Sequence, residues 1–206
     1  SAIILSFSSL ILPEFSQLYV KNNKANTNRA ISKTFKITLL FSIGITGILI
    51  YYSDFLGQWI YKSQQAGYFI RLVAPVTAIM YLDFVTDSIL KGLNQQVGVV
   101  KINIIDTIMC IILICLILPA YSTIGYIFVI FVSEIVNGVL SIGMLIRTTE
   151  FEFKFINWIL KPSVSAVLSG ICVHFIKISN PFVSAGVFAI SYFIFLNAFN
   201  CVRESA

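Results

Sequence analysis

Acidic and amide side chains recur at helical spacing inside long apolar stretches of this sequence. They are Asp83, Asp87, Asn103, Asp106, Glu134 and Asn137. Residues three or four positions apart lie on the same face of a helix, so the members of each pair are predicted to project to one side. An acid at the centre of a membrane helix costs about 2.5–3.5 kcal/mol, and such residues mark ion paths, proton relays or substrate sites. These six residues are the predicted substrate or ion pathway.

Helix packing is the alternative role for the same residues. Asp87 precedes Lys91 by four positions, so that acid and base can neutralise each other, whereas Asp83 has no cation at such a spacing. Polar side chains also join packed membrane helices through interhelical hydrogen bonds. One apolar stretch carries a polar stripe at a spacing of four: Ser133, Asn137 and Ser141. The sequence leaves both roles open.

Pro13 and Glu14 interrupt the first apolar stretch near its end. A proline removes a backbone donor and frees a carbonyl group, which places either a hinge or the end of a helix there. The pair is therefore a possible hinge, and simple termination of the span is the alternative.

The sequence contains no motif that indicates catalysis or the binding of a cofactor. His174 is the only histidine, and the four cysteines lie in apolar runs without a Cys-x-x-Cys pair. Phosphate-binding loops and glycine-rich fingerprints are absent as well. We therefore expect no enzyme activity, no catalytic residue, no metal and no cofactor. The basic segment 21–36 carries a single aromatic residue, Phe35, so nucleic acid is not an expected partner.

The composition predicts an integral membrane protein. The 206 residues are 58% hydrophobic and only 11% charged, whereas globular domains are about 45–50% apolar and about 25% charged. The apolar runs are long and unbroken, unlike the alternating segments of about ten residues in a membrane β-barrel. An all-α bundle of membrane-spanning helices is the expected fold class.

Seven apolar segments are predicted to cross the membrane within a single transmembrane domain that covers residues 1–206. Their approximate bounds are 1–19, 37–53, 69–90, 102–118, 125–146, 162–176 and 182–202. Lys21–Lys36 is predicted to be a basic connection, and Tyr121, Ser122 and Thr123 a turn between the fourth and fifth spans. Trp59 and Trp158 fall at span edges, as interfacial aromatic residues do.

The distribution of cations predicts the orientation. If the seven spans alternate, one side receives eleven of the fourteen lysines and arginines: Lys21, Lys24, Arg29, Lys33, Lys36, Lys91, Lys101, Arg147, Lys154, Lys161 and Arg203. The other side receives Lys62, Arg71 and Lys177. Cytoplasmic loops are enriched in Lys and Arg, so the C-terminus is expected inside. An odd number of spans with an external start favours a fragment of a longer protein.

Several segments of the sequence follow one another in an order that is found in a known family. SFSSLILPEFSQLY and ISKTFKITLLFSIGI are similar to the eighth and ninth spans of polysaccharide-export proteins in the MATE-like (MOP) flippase superfamily, and IRLVAPVTAIMYLDFVTDSILKGLNQQ is similar to the tenth. The segment NIIDTIMCIILICLILPAYSTIGYIFVIFVSEIVNGVLSI resembles the stage V sporulation protein B branch. The residues that match that pattern are Asn103, Asp106, Pro119, Gly125, Tyr126, Ser133, Glu134 and Asn137. The turn after Pro119 is longer than the family pattern.

The resemblance implies the C-terminal lobe of a two-lobed transporter in the bacterial cytoplasmic membrane. Its implied function is the flipping of a lipid-linked saccharide, a cell-wall or spore-cortex precursor, by alternating access. The implied partners are membrane lipids, that substrate and the N-terminal lobe of the same protein. A cation-coupled multidrug antiporter of the same superfamily and a structural membrane protein without transport are the alternatives.

Overall fold

The structure is a computed structural model whose regular structure is helical throughout the part of the chain that it describes. Described are residues 2–21, 24–149, 151–153, 155–176 and 180–201, with the backbone alone for residues 2–9. The helices are α1 (Ala2–Val20), α2 (Lys24–Tyr51), α3 (Ser53–Tyr61), α4 (Gln64–Gly92), α5 (Gln96–Thr149), a π-helical turn (Ile156–Leu160), α6 (Lys161–Ile176) and α7 (Pro181–Ala198). The expected helical fold class is thereby confirmed.

Five helical stretches of the described chain are long and apolar enough to cross a membrane, fewer than the seven predicted. They are Lys24–Tyr51, Gln64–Gly92, Gln96–Thr149, Ile156–Ile176 and Pro181–Ala198. The predicted fourth and fifth spans both lie within α5, and α1, which contains the predicted first span, is not among the five. Several such helices indicate a multi-pass membrane protein.

Helix α5 is bent back on itself at Ser122. Its 54 residues would extend about 80 Å if straight, against about 30 Å for the hydrocarbon core of a bilayer. Ser122 has non-helical angles, φ 48° and ψ −131°. Met144 packs on Gly98, and Ser133 hydrogen-bonds Asp106, so residues 96–121 and 123–149 are the antiparallel arms of a hairpin. The predicted turn at Tyr121–Thr123 coincides with this bend.

Replacing Ser122 by glycine is expected to stabilise the protein. A positive φ strains a residue with a side chain, by about 1–3 kcal/mol, and glycine adopts it freely. We expect Ser122→Gly to raise the thermal midpoint by about 2–4 °C, the change for about 1 kcal/mol in a chain of this size. Ser191→Gly, within α7, is the matched control and should lower the midpoint instead. An equal loss of stability in both variants would contradict the strained turn.

The chain divides into two compact units, neither of which is continuous in sequence. Unit 1 comprises residues 1–35 and 79–153, and unit 2 comprises residues 36–78 and 154–206. Unit 1 therefore contains α1, the second half of α4 and the α5 hairpin. Unit 2 contains most of the apolar part of α2, together with α3, the first half of α4, α6 and α7.

In unit 1, α1 packs on the end of α4. Gly92 lies against Phe15 and the backbone of Leu12, close enough that a Cβ there would meet the Phe15 Cβ at 2.7 Å. Pro13 lies inside α1, which continues to Val20. The alternative that Pro13 terminates the span is therefore wrong, because a single missing backbone donor does not outweigh the packing of the last helical turns. The hinge stays a prediction.

The segment Lys21–Lys36 is mostly helix and not an extended connection, because α2 begins at Lys24. Thr27, Ile31 and Phe35 are buried at a spacing of four. Phe35 packs against Phe151, with ring centroids 5.4 Å apart. A repeat of buried residues at this spacing stabilises a helix, which explains why the basic residues did not interrupt it. Three of the cations used to predict orientation, Lys154, Lys177 and Arg203, lie outside the described residues, as do Ser1 and Val202 at the ends of predicted spans.

In unit 2, α2 and α7 pair in antiparallel fashion through a regular series of contacts. The Tyr52 hydroxyl lies 2.5 Å from the Ser184 hydroxyl, Phe188 packs on Gly47, and Tyr192 packs on Gly44. The Tyr192 hydroxyl also donates to the Leu40 carbonyl at 2.8 Å. Every fourth residue of α7 thus contacts α2, and glycines on α2 make room for the two aromatic rings. Small residues allow such close approach between membrane helices.

Candidate functional site

The predicted pathway residues lie in unit 1, on α4 and on both arms of the α5 hairpin. We call this group the polar seam, which consists of Asp83, Asp87, Asn103, Asp106, Ser133, Glu134, Asn137 and Ser141. The spacing of four along α4 and along the second arm of α5 gives each helix one polar face. The seam brings the six predicted site residues into one unit.

Asp83 and Asn137 form a hydrogen-bonded contact of the seam between α4 and α5. Asn137 is 8% exposed, and its Nδ2 donates to Oδ2 of Asp83 at 2.8 Å. The two residues are 54 positions apart, so this bond fixes α4 against the second arm of α5. An intramolecular hydrogen bond contributes about 0.5–1.5 kcal/mol. Asp83, which has no cation at helical spacing, is therefore held by an amide.

Asp87 is partnered on its own helix and by the first arm of α5. The Lys91 Nζ lies 3.7 Å from Oδ2 of Asp87, which is the predicted i,i+4 pair. The Asn103 amide donates to the same oxygen at 3.5 Å. Lys91 is half-exposed and Asp87 is buried, so the cation reaches the acid from the rim of the seam.

Asp106 and Glu134 form the other end of the seam. The Ser133 hydroxyl donates to Oδ1 of Asp106 at 2.6 Å. Glu134 is half-buried and lies close enough to Asp106 for the two carboxyl groups to interact electrostatically. Within the described chain, Glu134 makes no hydrogen bond. Two acids without a cation between them favour the binding of a positive charge or of hydroxyl donors.

Four buried oxygen atoms of the seam lack a hydrogen-bond partner in the described structure. They are Oδ1 of Asp83, Oδ1 of Asp87, Oδ1 of Asn137 and Oγ of Ser141. Ser141 is fully buried, and its hydroxyl faces both Asp83 and Asp87. Leaving a buried polar atom unpaired costs about 1–3 kcal/mol. The oxygens of Asp83, Asp87 and Asn137 are acceptors, whereas the Ser141 hydroxyl is also a donor and faces both carboxylates.

The polar atoms of the seam that lack a partner in the described structure are oxygens, which are hard ligands, and not the nitrogen and sulfur ligands that transition metals prefer. No group of three or more His, Cys, Asp or Glu residues in the described chain is placed to hold a metal ion. The seam offers two carboxylate oxygens, one amide oxygen and one hydroxyl, and oxygen ligands of this kind suit hard cations. Pro13 and Glu14 are exposed on α1 and are not members of the seam.

Unit 2 contains an apolar cavity of about 500 Å³ between α2, α6 and α7. Small residues open it: Gly47 on α2 and Ala166 and Gly170 on α6. Phe188 forms part of its wall, and the titratable residues of its lining are Tyr51 and His174. Sequence reasoning missed this cavity. The sequence contains one feature that could have predicted the cavity. Ala166 and Gly170 are four positions apart, so these two small residues lie on the same face of α6.

Comparisons with known protein families, with curated proteins and with solved structures find no match.

Proposed function

We propose that this chain is the C-terminal lobe of a transporter that flips a lipid-linked saccharide across the bacterial cytoplasmic membrane by alternating access. The saccharide would be a cell-wall or spore-cortex precursor. The polar seam is the observation that carries the proposal. Inside apolar helices, acids and amides are costly unless they serve packing or function, and unpaired acceptors are not needed for packing. The C-terminus is proposed to lie in the cytoplasm.

The chemistry of the seam supports a hydroxyl-rich cargo. Carboxylate and amide oxygens accept hydrogen bonds from sugar hydroxyls, and the half-buried Glu134 has no competing partner in the described chain. The resemblance to flippases suggests that the cargo is a lipid-linked saccharide. The side chains of the polar seam would bind the saccharide part of that cargo.

Alanine at Asp106 or at Glu134 is expected to reduce flipping by about tenfold or more, since each change removes an acceptor for the cargo worth about 1.5 kcal/mol or more. The assay follows a labelled polyprenyl-linked saccharide in vesicles, with a membrane-impermeant lectin that detects the flipped head. Glu152→Ala is the control, because Glu152 is an exposed acid outside the seam.

Membrane insertion and thermal stability in detergent are measured in parallel. Glu134→Ala is the more informative variant, because its loss breaks no hydrogen bond within the described chain. Wild-type flipping in both variants would contradict the proposal. A loss of stability with unchanged flipping would support the structural alternative, in which the polar residues only join helices.

A cation-coupled multidrug antiporter is the second candidate function. It is favoured by the four unpaired oxygens of Asp83, Asp87, Asn137 and Ser141, which form a donor set for a coupling ion. Counterion-dependent efflux of a dye from vesicles would support this candidate. Lipid-linked saccharide binding without competition by any dye would reject it.

A further inference from the structure

Helix α3 is too short to cross the membrane, yet it joins two helices that are long enough to do so. Its nine residues extend about 13 Å, compared with about 30 Å for the hydrocarbon core. It follows α2 after Tyr52 and precedes α4 after a two-residue connection. Because α2 and α4 both have the length and hydropathy of spans, their connection lies at a membrane surface.

One face of α3 is fixed to the start of α4. Gly57 lies directly against the backbone of Gly67. Arg71 pairs with Asp54 and also donates from Nε to the Ser53 hydroxyl at 3.0 Å. These contacts hold α3 in one orientation, so the direction of its other face is determined.

Large apolar side chains are exposed at the C-terminal end of α3 and at the start of α7. Trp59 lies on the face of α3 away from Gly57, whereas Tyr61 follows Gly57 by four positions on the same face. Trp59, Ile60 and Tyr61 are 62%, 54% and 65% exposed, and Phe182, at the start of α7, is 65% exposed. Phe182 and Trp59 pack edge to face with ring centroids 6.0 Å apart. We call these four residues the α3 patch. Exposure of three successive large apolar residues to water is unfavourable, at about 25 cal/mol per Å² of apolar surface.

We propose that the α3 patch inserts into the interfacial region of the bilayer, so that α3 is an in-plane helix anchored by lipid. We expect a lipid surface to cover the patch because α3 connects the ends of α2 and α4. Both of these helices are long and apolar enough to cross the membrane, so their connection lies beside the headgroups. Tryptophan and tyrosine concentrate at this depth, where an apolar ring and a polar atom are both accommodated. Lys62, which ends the helix and is exposed, lies where it can contact a headgroup phosphate.

The two tryptophans of the chain provide the test. Trp158→Phe leaves Trp59 as the only tryptophan, and Trp59→Phe leaves Trp158, which is 6% exposed, as the buried control. Each protein is reconstituted into vesicles of phosphatidylcholine and phosphatidylglycerol whose acyl chains are brominated at a shallow or a deep position. In-plane helices lie about 5–10 Å into the headgroup and acyl boundary. We expect shallow bromines to quench Trp59 at least about twice as strongly as deep ones.

Aqueous iodide distinguishes the remaining outcomes. Strong quenching of Trp59 by iodide without quenching by brominated lipid would overturn the proposal, because the patch would then lie in water. Quenching by neither agent would also overturn it, because the patch would then be covered by protein. If Trp158→Phe does not fold, the difference in emission between the wild type and Trp59→Phe gives the same measurement for Trp59.

Discussion

Sodium chloride is expected to raise the thermal midpoint of the wild-type protein by about 5–10 °C, and Asp83→Ala is expected to abolish that rise. A ligand at a hundred times its dissociation constant stabilises the folded state by about 2.7 kcal/mol. In a chain of this size, each kcal/mol shifts the midpoint by about 2–4 °C. Asp83 supplies one of the four unpaired oxygens and positions Asn137, which supplies another. The thermal midpoint is measured on the purified protein in detergent.

The controls separate ion binding from simple loss of structure. Choline chloride at equal ionic strength is the control for screening. Asp83→Asn keeps an oxygen that can accept the Asn137 hydrogen bond, so it should retain the basal midpoint better than Asp83→Ala while losing the response to sodium. Asp54→Ala, which removes an exposed acid of unit 2, should leave the response intact. An Asp83→Ala protein that responds like the wild type would contradict the prediction that Asp83 binds sodium.

Gly57→Ala is expected to destabilise the protein by about 3 kcal/mol, the upper end of the range for overpacking. A Cβ at Gly57 would lie 2.6 Å from the Gly67 Cα and 3.0 Å from the Ser63 carbonyl oxygen. Both neighbours are backbone, so neither can rotate away as a side chain would. The corresponding fall in thermal midpoint is about 6–12 °C. Scanning fluorimetry in detergent measures it.

Glycines in open surroundings provide the matched controls. A Cβ at Gly143 or Gly186 would meet no heavy atom within 4 Å in the described structure. Alanine at either position should leave the midpoint unchanged or raise it, because alanine favours the helix by about 1 kcal/mol over glycine. If Gly57→Ala melted together with these controls, the close contact between α3 and α4 would be refuted.

Hydropathy predicted the helices well because the apolar runs are long, but it did not predict their bounds or connections. The predicted span 69–90 lies within α4, which extends beyond it at both ends. The predicted span 37–53 begins inside α2 but passes its end at Tyr51 and reaches the first residue of α3, Ser53. Burial of Thr27, Ile31 and Phe35 continues α2 through the basic segment. A window of mean hydropathy does not detect that spacing, because the intervening lysines lower the average.

The spacing of residues along one helix predicted which side chains share a face of that helix. It did not predict which faces of different helices contact each other. The sharing of a face by Asp83 and Asp87 follows from their separation of four. The bond between Asp83 and Asn137 spans 54 residues and depends on the direction in which α5 folds back at Ser122. The turn at Tyr121–Thr123 was predicted, but the backbone angles of Ser122 that set this direction were not. The cavity of unit 2 escaped prediction for a related reason, since glycine and alanine leave space only where a neighbouring helix fails to fill it.

The pairing of α2 with α7 has a consequence for biogenesis. Tyr52 and Ser184 are 132 residues apart, so the ribosome, at about 5–20 residues per second, needs about 7–26 s to synthesise the chain between them. During that interval the glycine face of α2 at Gly44 and Gly47 has no aromatic partner from α7. A nascent chain arrested before α7 would thus reach the membrane with an incomplete unit 2 and become a substrate for quality-control proteolysis.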